Sequence, residues 1–196
     1  YEVVSEQAVI DMNPATLATE VAALRDSGAE AVIMALYVEQ AQKLLQEKGA
    51  IGWDNVQLVS TGPLTDANTL NVPGGHGEGT IGLNFYPDAA TSEEHGIVAF
   101  RELMEEYHPG KAVNNYSLYG YVYGKLILAG LEAAGPNVTR ERFINAMEEL
   151  EDWPSGGIMP PVSLSSSNHH AQPWAFVVEL REGVLIPLTS WINTVE

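Results

Sequence analysis

The 196-residue sequence contains no cysteine. That excludes disulfides, cysteine–zinc sites and thiol catalysis together, although it leaves the compartment open. Basic residues are also scarce: nine Lys and Arg stand against 26 Asp and Glu, a formal net charge of −17. Only Arg140 and Arg142 lie close together, so nothing resembles the Lys/Arg clusters that nucleic acids and anionic membranes require. No apolar run approaches the roughly 18 residues of a membrane span; the run at 126–131 is broken by Gly130. The opening residues, Tyr1-Glu2-Val3-Val4, show no basic region or cleavage motif of a signal peptide.

What is present is ordinary for a globular protein: 45% hydrophobic residues, 18 Gly and 11 Pro. The length allows one good core or two small ones. The acidity suits a mobile secreted or periplasmic protein, or one from a salty habitat.

The pattern along the chain alternates. Residues 1–4 read as a strand remnant. Asn13-Pro14 reads as a cap with proline at the first helical position, and Leu17, Val21 and Leu24 form a buried stripe ended by Gly28. The apolar run 31–36 reads as a strand covered on both faces. A helix over 38–48 stopping at Gly49, a strand over 57–60 broken by Thr61-Gly62-Pro63, and a strand over 80–85 follow. This alternation predicts a parallel α/β layer. In such sheets ligands sit beyond the carboxyl ends of the strands, here Tyr37, the 61–66 turn and Tyr86.

The character changes after Tyr86-Pro87. Helices are expected over 92–107, 116–134 and 139–150, the last with Thr139 as N-cap. Strands are expected over 158–164, 174–180 and 184–191, the last two flanking a Glu182-Gly183 turn. The 116–134 helix carries Leu118, Val122, Leu126, Ile127, Leu128 and Leu131. Burying each such aliphatic side chain is worth about 1.5–3 kcal/mol. No nearby strand offers a sheet to cover them. The expectation is that their partner lies in a part of the molecule outside this chain, which is then a fragment or one half of a larger assembly.

That helix opens with four tyrosines in eight residues. At about 100° per residue, Tyr116, Tyr119 and Tyr123 share roughly 60° of arc and Tyr121 points nearly the other way. Two readings stand: a cleft lining of flat apolar walls with hydroxyl tips, or a core stripe whose hydroxyls are satisfied locally.

Several segments together carry a family resemblance. They are the capped helix and the Ser27-Gly28-Ala29-Glu30-Ala31-Val32 turn into a strand, Phe85-Tyr86-Pro87-Asp88 before a helix, and Tyr107-His108-Pro109-Gly110-Lys111. The tyrosine helix, Gly156-Gly157-Ile158 and Pro160-Pro161-Val162-Ser163 with Asn168-His169-His170 complete the set. In this order the chain resembles the branched-chain amino-acid binding proteins of bacterial ABC importers, over its whole length.

The resemblance implies a type I periplasmic-binding-protein fold, α/β, of which this chain is the C-terminal half. A parallel sheet flanked by helices would form lobe two, with further helices belonging to lobe one. Residues 1–85 would be lobe two, 86–155 helices of lobe one, and 156–196 the return through the hinge to lobe two. A small ligand would be trapped between lobes, with ABC transporter membrane subunits as partners, a periplasmic or extracellular location and no cofactor. The missing N-terminal half, or self-association, would cover the 116–134 helix.

On that template Tyr37, Thr61, Leu64, Asp66, Tyr116 and Tyr119 are the ligand-binding candidates, and Tyr123 falls to packing. Leu64 stands near the place where the amino-acid binders carry an acid for the ligand ammonium, with Asp66 two residues on. That departure opens the alternative of a carboxylate solute lacking an ammonium group. Asp66 also has a plain reading as a turn-former.

Other constellations are weak. His169 and His170 are adjacent, so their side chains diverge, and His76, His95 and His108 are scattered, which disfavours a metal site. The Gly-rich loop at 74–79 lacks the Lys and Ser/Thr of a phosphate loop, and no GxSxG elbow occurs. Glu105 and Glu106, and Glu148, Glu149 and Glu151, read as solvated helix faces. The expected function is non-enzymatic solute binding. The rivals are a sensory domain on the same fold and, more remotely, a hydrolase using His169 and His170.

Overall fold

Every second residue of the first strands faces a core, and the residues between face solvent. In β1 (Ala31–Met34), Val32 and Met34 are buried while Ala31 and Ile33 are exposed. β2 (Gln57–Ser60) buries Leu58 and Ser60, and β3 (Ile81–Asn84) buries Gly82 and Asn84. The computed structural model describes residues 2–195. These form two units: residues up to Asn84 with Phe176–Ser190, and Phe85–Ala175 with the residues from Trp191 on.

In the first unit, β1 pairs parallel with β2 and β2 parallel with β3. β4 (Trp174–Arg181) then pairs antiparallel with β3 through Phe176, and β5 (Val184–Pro187) closes a hairpin onto β4. Parallel neighbours need crossovers. Here these are α2 (Val38–Ala50), and a 3₁₀ turn (Gly62–Leu64) followed by the short α3 (Ala67–Leu70). With α1 (Ala18–Asp26) they supply Val21, Ala41, Leu44, Leu45, Leu64 and Leu70 to a core shared with Val32, Met34, Leu58 and Leu180.

The strand read over 31–36 spans Ala31–Met34, and among the described residues its second face is not covered. Only one face is covered within this chain: Ile33 is 74% exposed, and Leu83 is exposed on β3. An apolar run cannot distinguish helices on both faces supplied by this chain from helices supplied elsewhere.

Other boundaries moved for local reasons. Among residues 2–4 no strand forms; Tyr1 lies outside the described residues. α1 starts at Ala18 instead of Pro14, because the Thr16 hydroxyl accepts from Ala18 N (3.1 Å) while donating to Glu47 Oε1 (2.6 Å). Gly49 stays inside α2: the His76 imidazole packs where its side chain would be. The Glu182-Gly183 turn does join β4 to β5, both residues at positive φ (51° and 76°), as tight hairpins prefer. Glu78 holds it, its two carboxylate oxygens accepting from Glu182 N and Gly183 N at 2.8 Å each.

The second unit is helical: α4 (His95–Tyr107), α5 (Asn115–Ala134) and α6 (Arg140–Glu148). The Thr139 side chain caps α6 by accepting from Arg142 N (3.2 Å). One side of α5 does find partners in this chain. Leu118, Val122 and Leu126 join a core with Ile97, Phe100, Met104, Ile158 and Val162. Ile127, Leu128 and Leu131 stay exposed.

The strand expected over 158–164 is absent, and only isolated bridges, Trp153↔Val162 and Ser165↔Asn168, occur. Pro160 and Pro161 remove ladder donors. The buried Ser155 hydroxyl instead binds both Met159 N (3.0 Å) and Met159 O (2.8 Å), fixing a loop. This segment, 156–175, falls in the helical unit. The final strand also splits: β5 ends at Pro187, and β6 (Ile192–Asn193) pairs with Trp174 and Ala175.

Gly82 packs against the Ser60 and Thr65 hydroxyls, leaving no room for a Cβ. Gly82→Ala is expected to destabilise the chain by about 1–3 kcal/mol through overpacking. A denaturant midpoint equal to wild type would contradict this packing.

Candidate functional site

The carboxyl ends of β1 and β2 form a rim on the first unit. After Met34 the chain turns into α2, with Tyr37 at its N-cap in extended conformation (φ −86°, ψ 166°). Gln40 fixes this entry: its Oε1 accepts from Tyr37 N (2.9 Å) and its Nε2 donates to Asp11 O (2.7 Å). Tyr37 itself is 59% exposed, an accessible phenol at a strand end.

At the end of β2, Thr65 Oγ1 donates to Thr61 O (3.1 Å), so Ser60 Oγ donates to Thr65 Oγ1 (2.8 Å). Both hydroxyls are thereby consumed inside the turn. Thr61 remains partly exposed. Leu64 does not: it is buried in the core beneath the rim. Asp66 is only 6% exposed and its Oδ1 accepts from Asn68 N (2.9 Å) and Thr69 N (3.2 Å), capping α3. Of the four candidates in this unit, the structure presents Tyr37 and Thr61 and engages Leu64 and Asp66 elsewhere.

In the second unit the tyrosines divide as the helical wheel has them, with Tyr121 apart from the other three, but Tyr123 does not fall to packing. Asn114 caps α5, accepting from Ser117 N (3.0 Å), while Asn115 Oδ1 accepts from Ala89 N (3.1 Å). Tyr116 is 48% exposed and meets Tyr119 edge-on, centroids 6.1 Å apart. Tyr119 in turn tilts against Tyr86 at 5.1 Å. Tyr123, expected in the core, is 46% exposed. Tyr121 packs on Phe100 (5.2 Å) beneath Lys125 Nζ.

Tyr86 is buried, and its hydroxyl lacks a hydrogen-bond partner of ordinary geometry. Burial, and secondarily the phenols of Tyr123 and Tyr119, push its pKa well above the ordinary value of 10. Asn115 Nδ2 and Gln172 Oε1 are two more buried polar atoms without partners beside the Phe85–Ala89 stretch. Nothing in the sequence marked Asn115 or Gln172. Their partners lie 26 and 87 residues away in the chain, beyond any local pattern.

The histidines are engaged singly. His169 Nε2 meets Glu148 Oε1 (2.9 Å), and His170 Nε2 meets Gln172 O (2.7 Å). Among the described residues no group of three or more His, Asp or Glu could hold a metal ion, and no helix is long and apolar enough to cross a membrane. A separate groove of about 640 Å³ lies at the amino-terminal ends of β1 and β2, lined by Arg25, Glu30, Ile51, Trp53 and Asn55 among others. It was not anticipated, since its lining comes from turn residues without a shared motif.

The sequence matches a family model described as periplasmic binding protein over residues 2–184. The chain belongs to that family, and its helix-flanked sheet, parallel from β1 to β3 and antiparallel beyond, is that of the type I periplasmic-binding-protein fold. The family implies an extracytoplasmic location.

No curated protein matches the chain by sequence. Among solved structures it is similar to a branched-chain amino acid ABC transporter protein from Thermus thermophilus with bound valine. The TM-score is 0.75 at 15% identity, with 90% of this chain and 49% of that one covered. It is similar also to a solute-binding protein from R. palustris in complex with 4-hydroxybenzoate (TM-score 0.74, 20% identity, 95% and 51% covered). A third similar structure is a fatty acid ABC transporter substrate-binding protein from Thermomonospora curvata (0.74, 18%, 91% and 47%). At these identities the likeness establishes the fold, and the chain spans about half the length of each.

Because the Tyr86 hydroxyl is buried with no hydrogen bond of ordinary geometry, its neighbour Tyr123 giving at most a poorly aligned one, Tyr86→Phe is expected to be neutral or stabilising by up to about 1 kcal/mol near neutral pH. Its phenol ionises in the unfolded chain near 10 but only higher in the folded one. The contribution of Tyr86 is therefore fully present below about pH 10 and is lost as pH rises beyond it. Tyr86→Phe should flatten that alkaline limb in denaturant titrations. A loss of 2 kcal/mol or more in the variant at neutral pH would instead show that the hydroxyl is well partnered.

Proposed function

We propose that this chain is a solute-binding part of an extracytoplasmic receptor that delivers a small amino acid or other carboxylate-bearing solute to the membrane subunits of an ABC importer. The observation that carries this reading is the exposure of Tyr37 and the partial exposure of Thr61, which follow the carboxyl ends of the paired parallel strands β1 and β2. That is where ligands collect in open α/β sheets. Family membership and the substrate-binding neighbours support binding over catalysis. Tyr116 and Tyr119 of the second unit are further candidate contacts, a ring pair at a helix entrance. The mechanism is a shift of a hinge equilibrium: the solute favours whichever form it contacts best, and the transporter recognises that form.

The same reading accounts for the open apolar surfaces. Ile33 and Leu83 on the sheet, and Tyr123, Ile127 and Leu131 along α5, are exposed. The solved structures of this fold are about twice as long as the matched region. In the working protein, further chain covers these faces.

Two experiments test the proposal. Expressed by itself, the 196-residue chain should self-associate and bind a hydrophobic dye, whereas the complete gene product carrying it should do neither. A monodisperse, cooperatively folding, dye-silent monomer would contradict the covering of these faces. In a thermal-shift screen of the complete protein, at least one amino acid or other small carboxylate should raise the melting temperature, by mass action on the folded state. Turnover of any such compound would count against a binding role.

A further inference from the structure

The groove at the amino-terminal ends of β1 and β2 lies at the far end of the strands from Tyr37 and Thr61. Its volume, about 640 Å³, falls among small-molecule clefts, which run roughly 300–1,000 Å³. Two segments wall it. The passage from α1 into β1 brings Arg25 and Glu30, and the turn from α2 into β2 brings Ile51, Trp53 and Asn55.

Trp53 is only 6% exposed, yet its indole N–H, a donor with no acceptor capacity, meets no acceptor among the described residues. The polar atoms there that are both sealed and unpartnered belong to Thr80, Tyr86, Asn115 and Gln172. The Trp53 N–H is therefore unpartnered but reachable, and the groove is the open space that its side chain borders. Beside it, the exposed Asn55 amide and Glu30 carboxylate make no side-chain hydrogen bond or ion pair among the described residues.

Charge narrows the occupant. Arg25 is answered by Asp26, whose Oδ1 accepts from Nε (3.1 Å) and Nη2 (3.0 Å), and Asp54 by Lys48 at 4.0 Å. Glu30 remains, so an anion finds no free cation to pair with. A cation would suit Glu30 but leave Trp53 Nε1 and Arg25 Nη1, donors only, without an acceptor. A hydroxyl group both donates and accepts, and can serve all of these groups.

We propose that this groove binds a neutral polyhydroxy compound of mono- or disaccharide size, whose hydroxyls accept from Trp53 Nε1 and donate to Glu30 and Asn55. It is a second site, apart from the solute-binding rim, and stands or falls separately from it.

Glucose, trehalose and maltose test it, titrated at millimolar concentration into the isotope-labelled complete gene product that carries this chain and followed by NMR. Inorganic phosphate and ethylammonium serve as charged probes. The Trp53 indole signal is assigned by its loss in Trp53→Phe, and the backbone amides of residues 28–30 and 51–55 report with it; should that variant not fold, these amides carry the test. Melting temperature is no substitute, since sugars stabilise folded proteins in general by exclusion from their surface. At least one saccharide should shift these signals saturably. Glu30→Ala and Asn55→Ala, at exposed positions where folding tolerates them, should each weaken that binding about fivefold or more. No saturable shift, shifts that both variants leave unchanged, or tighter binding of phosphate or ethylammonium at these residues overturns the inference.

Discussion

The in-register parallel pairing of β1 with β2, and of β2 with β3, is the constraint on which the rest of the first unit depends. Ala31 aligns with Gln57 and Met34 with Ser60, so the two strands end level with one another. Parallel neighbours cannot be joined by a tight turn, and each crossover must travel back over one face of the sheet. α2 and the 3₁₀–α3 segment do so, burying Leu44, Leu45 and Leu70 against Val32, Leu58 and Met34. Each crossover also begins at the same rim. Tyr37 and Thr61 both come after that rim because the strands before them share a register and not because of any local motif.

The period-2 geometry of the strands imposes an asymmetry. The residues that seal the core alternate with Ile33, Val59, Ile81 and Leu83, which must point to the other face. A sheet whose apolar residues fall on both faces belongs to a three-layer arrangement, and this chain supplies one covering layer. The helical unit repeats the situation on α5. Leu118, Val122 and Leu126 are sealed, while Tyr123, Ile127 and Leu131, about a third of a turn or more around, are open. Two units each built with one dry and one open apolar face are consistent with a chain about half as long as other proteins of its fold.

The sequence made the elements with strong periodicity or sharp punctuation legible. β2 was read to the residue, the Glu182-Gly183 turn was read from its dipeptide, and the Thr139 cap from its threonine. The failures are physical. Gly49 did not end α2, because a histidine 27 residues later fills the space beside it. Residues 158–164 look like a strand by composition, but Ser155 and two prolines hold them as a buried loop. At the site, an exposed aromatic at a strand end could be anticipated for Tyr37. The burial of Leu64 and the capping role of Asp66 could not, since the same turn residues serve a ligand or a short helix equally well until the backbone is placed. The family resemblance assigned Tyr123 to packing, whereas it is 46% exposed and its phenol lies near the buried Tyr86, outside the helix.

The central claim is that a small solute is held at the carboxyl-terminal rim of the parallel strands. Hydrogen–deuterium exchange on the complete protein, with and without a solute that raises its melting temperature, tests this most directly. The result expected is added amide protection at residues 37–40 and 61–66, with residues 25–30 and 51–55 around the opposite groove unchanged. Protection confined to that groove, or none at the rim at saturating solute, would contradict the account.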